Sequence, residues 1–457
     1  MENYIYPNSQ HTCGDSCYKI IRTTKSDILS VTGSDSALFE GEFVPHPESN
    51  QAVMNEHNSR KKCDNGKEHK DSKDATHKLC PLTVENSKII RRLFDFTNPK
   101  SSKGNDITIG LGDRLGLATA GHIRLLKDYD VFPIFAQQSI RELNLTGRTY
   151  EDVLSSAVWA VFREGYKNGY GADGDHLKTR EEVKYALDCG FTMITLDCSE
   201  HIPHGLEAVV KFTTDIYHEH IRGKNIDCEL SIDETQTVTT PEDHLFVAQA
   251  LKKSGVEIRS LAPRFCGEFQ KGIDYIGDVK QFEREFKSHV EIAEKFGYKI
   301  SIHSGSDKFS IFPIVGKLTG GKYHLKTAGT NWLEAVRVVA TTDPALYREM
   351  HLFALENLEE ARKYYHITCD LSKIKPLADT PDIMLPSYLD EDNARQVLHI
   401  TYGLILQAKK EDGTPRFHDR IYRVLRTRED EYTDALEKHI GMHLIELGLK
   451  RKKAVGN

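Results

Sequence analysis

Between Gly171 and Lys178 the chain reads GADGDHLK, two glycines interleaved with Asp173, Asp175, His176 and Lys178. Adjacent carboxylate and imidazole groups can divide labour, the ring holding a metal while the carboxylate moves a proton. Further on, SIHSGSDK supplies His303 and Lys308, and KYHLKT supplies His324 and Lys326. Asp-Gly-Asp can also be an ordinary turn, and a single strand histidine is more often a satisfied polar residue than a ligand. Three histidines from remote stretches, His176, His303 and His324, are harder to dismiss. They match the imidazole-rich set with open positions that one divalent cation of the zinc, nickel or manganese type accepts. Asp197 and Glu234 are the reserve ligands.

Such residues can meet only if the fold gathers them. Eight β-type segments do so on paper: 106–110, 131–137, 170–176, 192–197, 228–234, 256–264, 299–303 and 322–327. Helix-like stretches separate most of them, which is the pattern of a (β/α)8 TIM-type barrel, where the carboxyl ends of parallel strands open onto one mouth. Asp113, Gln137, Gln138, Asp175, His176, Asp197, Glu234, Arg264, Glu268 and His303 would share that mouth. Capping-box patterns at Thr179/Glu182 and Thr240/Asp243 start two of the helices. The second carries Leu245, Phe246, Ala248 and Leu251 as its apolar stripe. Residues 279–296 repeat Phe282, Phe286, Val290, Ala293 and Phe296 at helical spacing. We expect an N-terminal extension over 1–104, the barrel over 105–366 and a helical C-terminal extension over 367–457, which caps the barrel or offers a homo-oligomer surface. Within the first, residues 46–78 are polar and nearly free of large apolar side chains, as a solvated excursion is.

Composition narrows the function. At 457 residues the chain exceeds a bare barrel, and its net charge of −7 offers no basic face for nucleic acid. No run is long and apolar enough for a membrane span, and the polar start lacks a secretory core, so we expect a cytoplasmic protein. The nine cysteines show no paired CxxC spacing, and Cys13 with Cys17 has no second pair to complete a zinc site. Gly110, Gly112 and Gly116 form GxGxxxG, which misses the dinucleotide fingerprint by one residue, so no NAD is expected and the glycines are assigned to close packing. Lys326 is the available Schiff-base lysine, though ion pairing is its more ordinary role.

The stretches GLGDRLGLATAGHI, FAQQSIRELNLTGRTYEDV, GADGDHLKT, TLDCSEHI, LSIDET, SLAPRFCGEFQKGIDYIGD, SIHSGSDKFSIFPI and HLKTAGTNWLEAVRV resemble, in this order, the bacterial D-tagaturonate epimerase family. The resemblance covers about residues 105 to 445. It implies a metal-dependent isomerase interconverting D-tagaturonate and D-fructuronate in hexuronate catabolism, with activity on neutral ketoses such as fructose and tagatose in view. These keto acids differ at a carbon two bonds from the ketone, so loss of an α proton cannot invert it. Retro-aldol cleavage and re-addition to the opposite face can, and direct deprotonation is the second route. Two opposed carboxylates suit the proton traffic. Asp175 is assigned as acceptor and Glu268 as donor, with the cation on His176, His303 and His324. Gln137, Lys178, Arg264 and Lys308 are the candidates for binding the substrate carboxylate. A metal-dependent sugar isomerase or class II type aldolase acting on another keto sugar is the alternative, and a non-catalytic sugar-binding protein is the remaining class.

Overall fold

The computed structural model describes residues 4–44, 76–235 and 237–452. The chain divides into two compact units, residues 1–97 with 158–167, and residues 98–157 with 168–457. The first holds a six-stranded antiparallel sheet, whose central strands Ser16–Arg22, Asp27–Thr32 and His77–Pro81 are paired in that order, and the helix Val84–Leu93. Most of the polar stretch 46–78, with His46, His57 and His69, lies outside the described residues. At its end His77 and Lys78 enter the sheet, where a His77 ring nitrogen lies 2.9 Å from Ser30 Oγ. None of the described cysteines forms a disulfide.

The second unit is built on a closed barrel of eight parallel strands: β1 (Ile107–Leu111), β2 (Phe132–Ser139), β3 (Gly171–Leu177), β4 (Met193–Asp197), β5 (Asp227–Ile232), β6 (Ser260–Pro263), β7 (Lys299–Ile302) and β8 (Tyr323–Thr327). Each strand pairs with its sequence neighbour, and β8 closes onto β1 through Tyr323–Ile107 to Thr327–Leu111. All eight expected strands are present. β6 is shorter than its sequence pattern, because residues 256–259 approach the sheet as irregular chain before Arg259 N–H donates to Cys228 O.

The capping signals act as read. Thr179 Oγ1 accepts from Glu182 N–H and the Glu182 carboxylate accepts from Thr179 N–H at the start of Arg180–Cys189, and Thr240 and Asp243 do the same for Pro241–Lys253. The buried stripe of the latter is His244, Val247, Ala248 and Leu251, while Phe246 is exposed, so the assignment of Phe246 to that stripe is corrected. Helix Val279–Phe296 buries Phe282, Phe286, Val290 and Ala293 against the barrel as its periodicity requires. After β8, helices Gly329–Thr342 and Pro344–Glu356, then Asp392–Ile400, Tyr402–Gln407, His418–Thr427 and Glu429–Glu446, enclose one large core around Trp332, Tyr347, Val397, Tyr402 and Leu436. Among the described residues no helix is long and apolar enough to cross a membrane.

Candidate active site

One cavity of about 640 Å³ opens at the carboxyl ends of the strands, a volume suited to a small polar ligand. β3 sets its chemistry by an irregularity. Ile194 of β4 faces Gly174, but Leu196 faces Leu177, so β3 carries one extra residue between them. His176 sits there with φ 53°, left-handed backbone rarely taken by a side-chain-bearing residue. Regular alternation would send Asp175 and His176 to opposite faces. The bulge lets both line the cavity.

Below them Lys326 of β8 lies 2.8 Å from Asp173 Oδ2, 2.7 Å from Asp175 Oδ1 and 2.8 Å from Glu229 Oε1. Burial alone would discharge Lys326, but the three carboxylates hold its pKa well above the ordinary lysine value. An ammonium held by three carboxylates is a poor Schiff-base nucleophile, so Lys326 serves here as the shared counter-ion. Burial raises carboxyl pKa values, yet Lys326 keeps Asp175 and Glu229 well below the usual range. Asp173, fully buried and crowded by Asp175 and Glu229, is pushed up to about 6.

His303, just past β7, bridges Glu229 and Asp233: Nε2 lies 2.8 Å from Glu229 Oε1 and Nδ1 lies 3.1 Å from Asp233 Oδ1. Its ring meets that of His176 at 4.8 Å between centroids. His176 Nδ1 faces Asp197 Oδ2 at 3.4 Å. Burial disfavours both imidazoliums, but Asp175 and other carboxylates lift His176 to about 10, and Asp233 lifts His303 to about 9.

The ligand atoms of His176, Asp233 and His303 lie within 4.8 Å of one another. Two imidazoles and a carboxylate fit a divalent transition metal, and the acids around them would stabilise its charge. His324 does not join them. It is paired in register with Ser301 and Thr108, one layer deeper than His303, and its Nδ1 lies 2.8 Å from Thr108 Oγ1 while burial pushes its pKa down to about 3. Asp197 and Glu234 form an alternative grouping with His176.

Of the other expected residues, Gln137, Arg264 and Glu268 line the cavity with Asp175. Arg264 Nη2 lies 3.8 Å from Glu268 Oε1. Lys178 turns outward to Asp197 and Glu200, at 3.7 and 3.5 Å. Lys308 is buried and donates to the carbonyls of Gln270, Ile273 and Ser306, so its cation holds a loop together rather than meeting a ligand. Asp113 is likewise internal, capping its own loop by accepting from the N–H groups of Leu115, Gly116, Ala118 and Thr119. The glycine beside it does pack closely, since a Cβ on Gly110 would stand 1.7 Å from Gln137 Oε1. Residues that the sequence did not single out complete the cavity: Asp233, Arg114, Arg141, Lys271, Tyr365 and His399.

Comparison with known proteins settles the family. The model of the tagaturonate epimerase family matches residues 6–209 and 205–447. The chain belongs to the tagaturonate epimerase family. It is therefore an enzyme, an isomerase of the epimerase type. A tagaturonate/fructuronate epimerase of Thermotoga maritima is 40% identical over 418 residues, covering 80% of this chain and 85% of that protein. Crystal structures of fructuronate-tagaturonate epimerase from Cohnella laeviribosi, native and with glycerol, share 45% identity at a TM-score of 0.88, covering 98% of this chain and 97% of that one.

Proposed function

We propose that this chain interconverts D-tagaturonate and D-fructuronate by retro-aldol cleavage and re-addition, with a divalent cation of the zinc, nickel or manganese type held by His176, Asp233 and His303. The observation that carries the reading is the convergence of these three ligands with Asp175 and Glu268 on one cavity. When bound, the cation would act as a Lewis acid on the ketone end of the substrate. The chain's own groups do the rest. Asp175, kept ionised by Lys326, accepts the proton of the hydroxyl on the carbon to be inverted. The bond between that carbon and its neighbour nearer the ketone breaks, its electrons passing into an enediolate while the hydroxyl-bearing carbon becomes an aldehyde. The aldehyde turns, the enediolate carbon attacks its other face, and the new alkoxide takes a proton from Glu268 on the opposite side. Each cycle leaves the acid pair exchanged by one proton, which water at the open mouth restores. Glu268 is half-exposed, which suits that exchange.

Gln137 and Arg264 are assigned to the substrate, and Lys178 and Lys308 are set aside from it. Incubation of D-tagaturonate with the metal-loaded enzyme tests the reading. It should yield D-fructuronate with the ketone in place. Release of two three-carbon fragments as the main products, or a moved carbonyl, would instead mark an aldolase or an isomerase of another sugar.

A further inference from the structure

The loops around the cavity also supply a basic wall. Arg114 follows β1, Arg141 opens the helix Ile140–Thr146 after β2, and Lys271 lies in the loop after β6; all three line the same cavity. Arg114 is buried, stacks on the Tyr402 ring at 3.7 Å and gives Nε and Nη2 to Glu142 Oε1 at 3.0 and 2.9 Å. Its Nη1 is also buried and has no hydrogen-bond partner among the described residues. Arg141 Nη2 lies 3.1 Å from Glu234 Oε1, and its guanidinium stands 5.0 Å from the Tyr365 ring centroid. Lys271 Nζ donates to Ser304 Oγ at 2.8 Å and makes no ion pair with a carboxylate among the described residues. Of these three cations, Arg114 and Arg141 are each paired with one carboxylate, Glu142 and Glu234. Burial lowers the Lys271 pKa, and the neighbouring Arg141 cation lowers it further. A buried guanidinium nitrogen without an acceptor is costly unless a ligand supplies one.

We propose that Arg114, Arg141 and Lys271 form the subsite for the terminal carboxylate of the substrate. The proposal rests on the epimerase reading above and gives it a direction. The ketone end lies toward His176 and His303 and the carboxylate end toward Arg114. A retro-aldol step would cut such a substrate into two three-carbon halves, and the half that must turn carries the carboxylate. Anchored there, it can present its other aldehyde face by rotation near the anchor while being kept from leaving. A planar guanidinium suits the planar carboxylate, and Lys271 adds charge from the side.

Arg114 is buried and paired, so the half-buried Lys271 and Arg141 carry the test. Wild-type, Lys271→Met and Arg141→Met holoenzymes are titrated calorimetrically with glycerate, the reduced form of the carboxylate half, and assayed on D-tagaturonate and on D-tagatose. The expected results are a loss of at least tenfold in glycerate affinity, a comparable fall in the ratio of kcat/KM for the keto-uronate over the ketose, carried mainly by KM, and more free fragment per turnover. Equal glycerate affinity in all three proteins, or an unchanged substrate ratio, would overturn the subsite. A wild type that binds glycerate through Lys271 yet fails to interconvert D-tagaturonate would uphold the subsite and reject the epimerase reading.

Discussion

Two clusters of the same composition lie in the barrel unit, and they differ in access. His176, Asp233 and His303 gather at the mouth, and Asp307, His439 and His443 form a second, buried group; in both the ligand atoms lie within 4.8 Å of one another. The second cluster is closed. His443 Nε2 accepts from Asp307 N–H at 3.0 Å, and its Nδ1 donates to His439 O at 2.9 Å. Asp307 Oδ2 takes Arg395 Nη2 at 2.8 Å and Oδ1 takes His439. These bonds tie the loop after β7 to helices Asp392–Ile400 and Glu429–Glu446. In the mouth cluster the partners are acids, which can exchange a proton for a cation, and the side chains border open space. Ligand type and proximity are shared, so access to the cavity is what distinguishes the two clusters.

The contrast can be broken most forcefully at His303. His303→Ala should lose bound metal and on the order of 10³-fold in turnover, the scale of removing a group that stabilises developing charge, and elemental analysis with a rate assay on one sample checks it. Metal content equal to wild type would remove His303 from the ligand set. Glu268→Gln should keep the metal and lose about 10²-fold in kcat, as for a deleted general acid. A normal rate would eliminate the assigned donor. His443→Ala, by contrast, should keep metal content while losing about 1–3 kcal/mol of stability in denaturant melts, because Asp307 N–H is left buried and unpaired. Loss of the metal with fold intact would make the second cluster a centre in its own right.

The last effect is one of pH. Burial outweighs the Asp307 carboxylate and pushes His443 down to about 4, against an ordinary value of 6.5. Below pH 6.5 the unfolded chain takes up a proton that the folded chain refuses until near pH 4. The stability His443 contributes is thus present above pH 6.5 and is lost as the pH falls, by about 2 kcal/mol at pH 5. His443→Gln should flatten that part of the melting curve, and a slope identical to wild type would contradict the assignment.

Much of this was legible in the amino-acid sequence. Strand periodicity and capping boxes gave the barrel and its helices, and GADGDHLK and SIHSGSDK gave Asp175, His176 and His303. Asp233 was missed for a readable reason. Glu229, Ser231 and Asp233 share one face by alternation, which favours Asp233 over Glu234 as the inward residue. His324 obeys alternation too, but its depth below the mouth depends on strand register, which one sequence does not display. The basic wall had no local signal, since Arg114, Arg141 and Lys271 come from three loops that only the closed fold brings to one cavity. Lys308 was misleading because a lysine saturated by backbone carbonyls looks, in sequence, like one awaiting an anion.

Turnover of D-tagaturonate and metal stoichiometry, measured on one preparation before chelation, after exhaustive chelation and after return of a divalent cation, tests the central claim most directly. The account predicts one ion per chain, interconversion lost with the ion and restored with it. Full interconversion by a chain free of metal would contradict it.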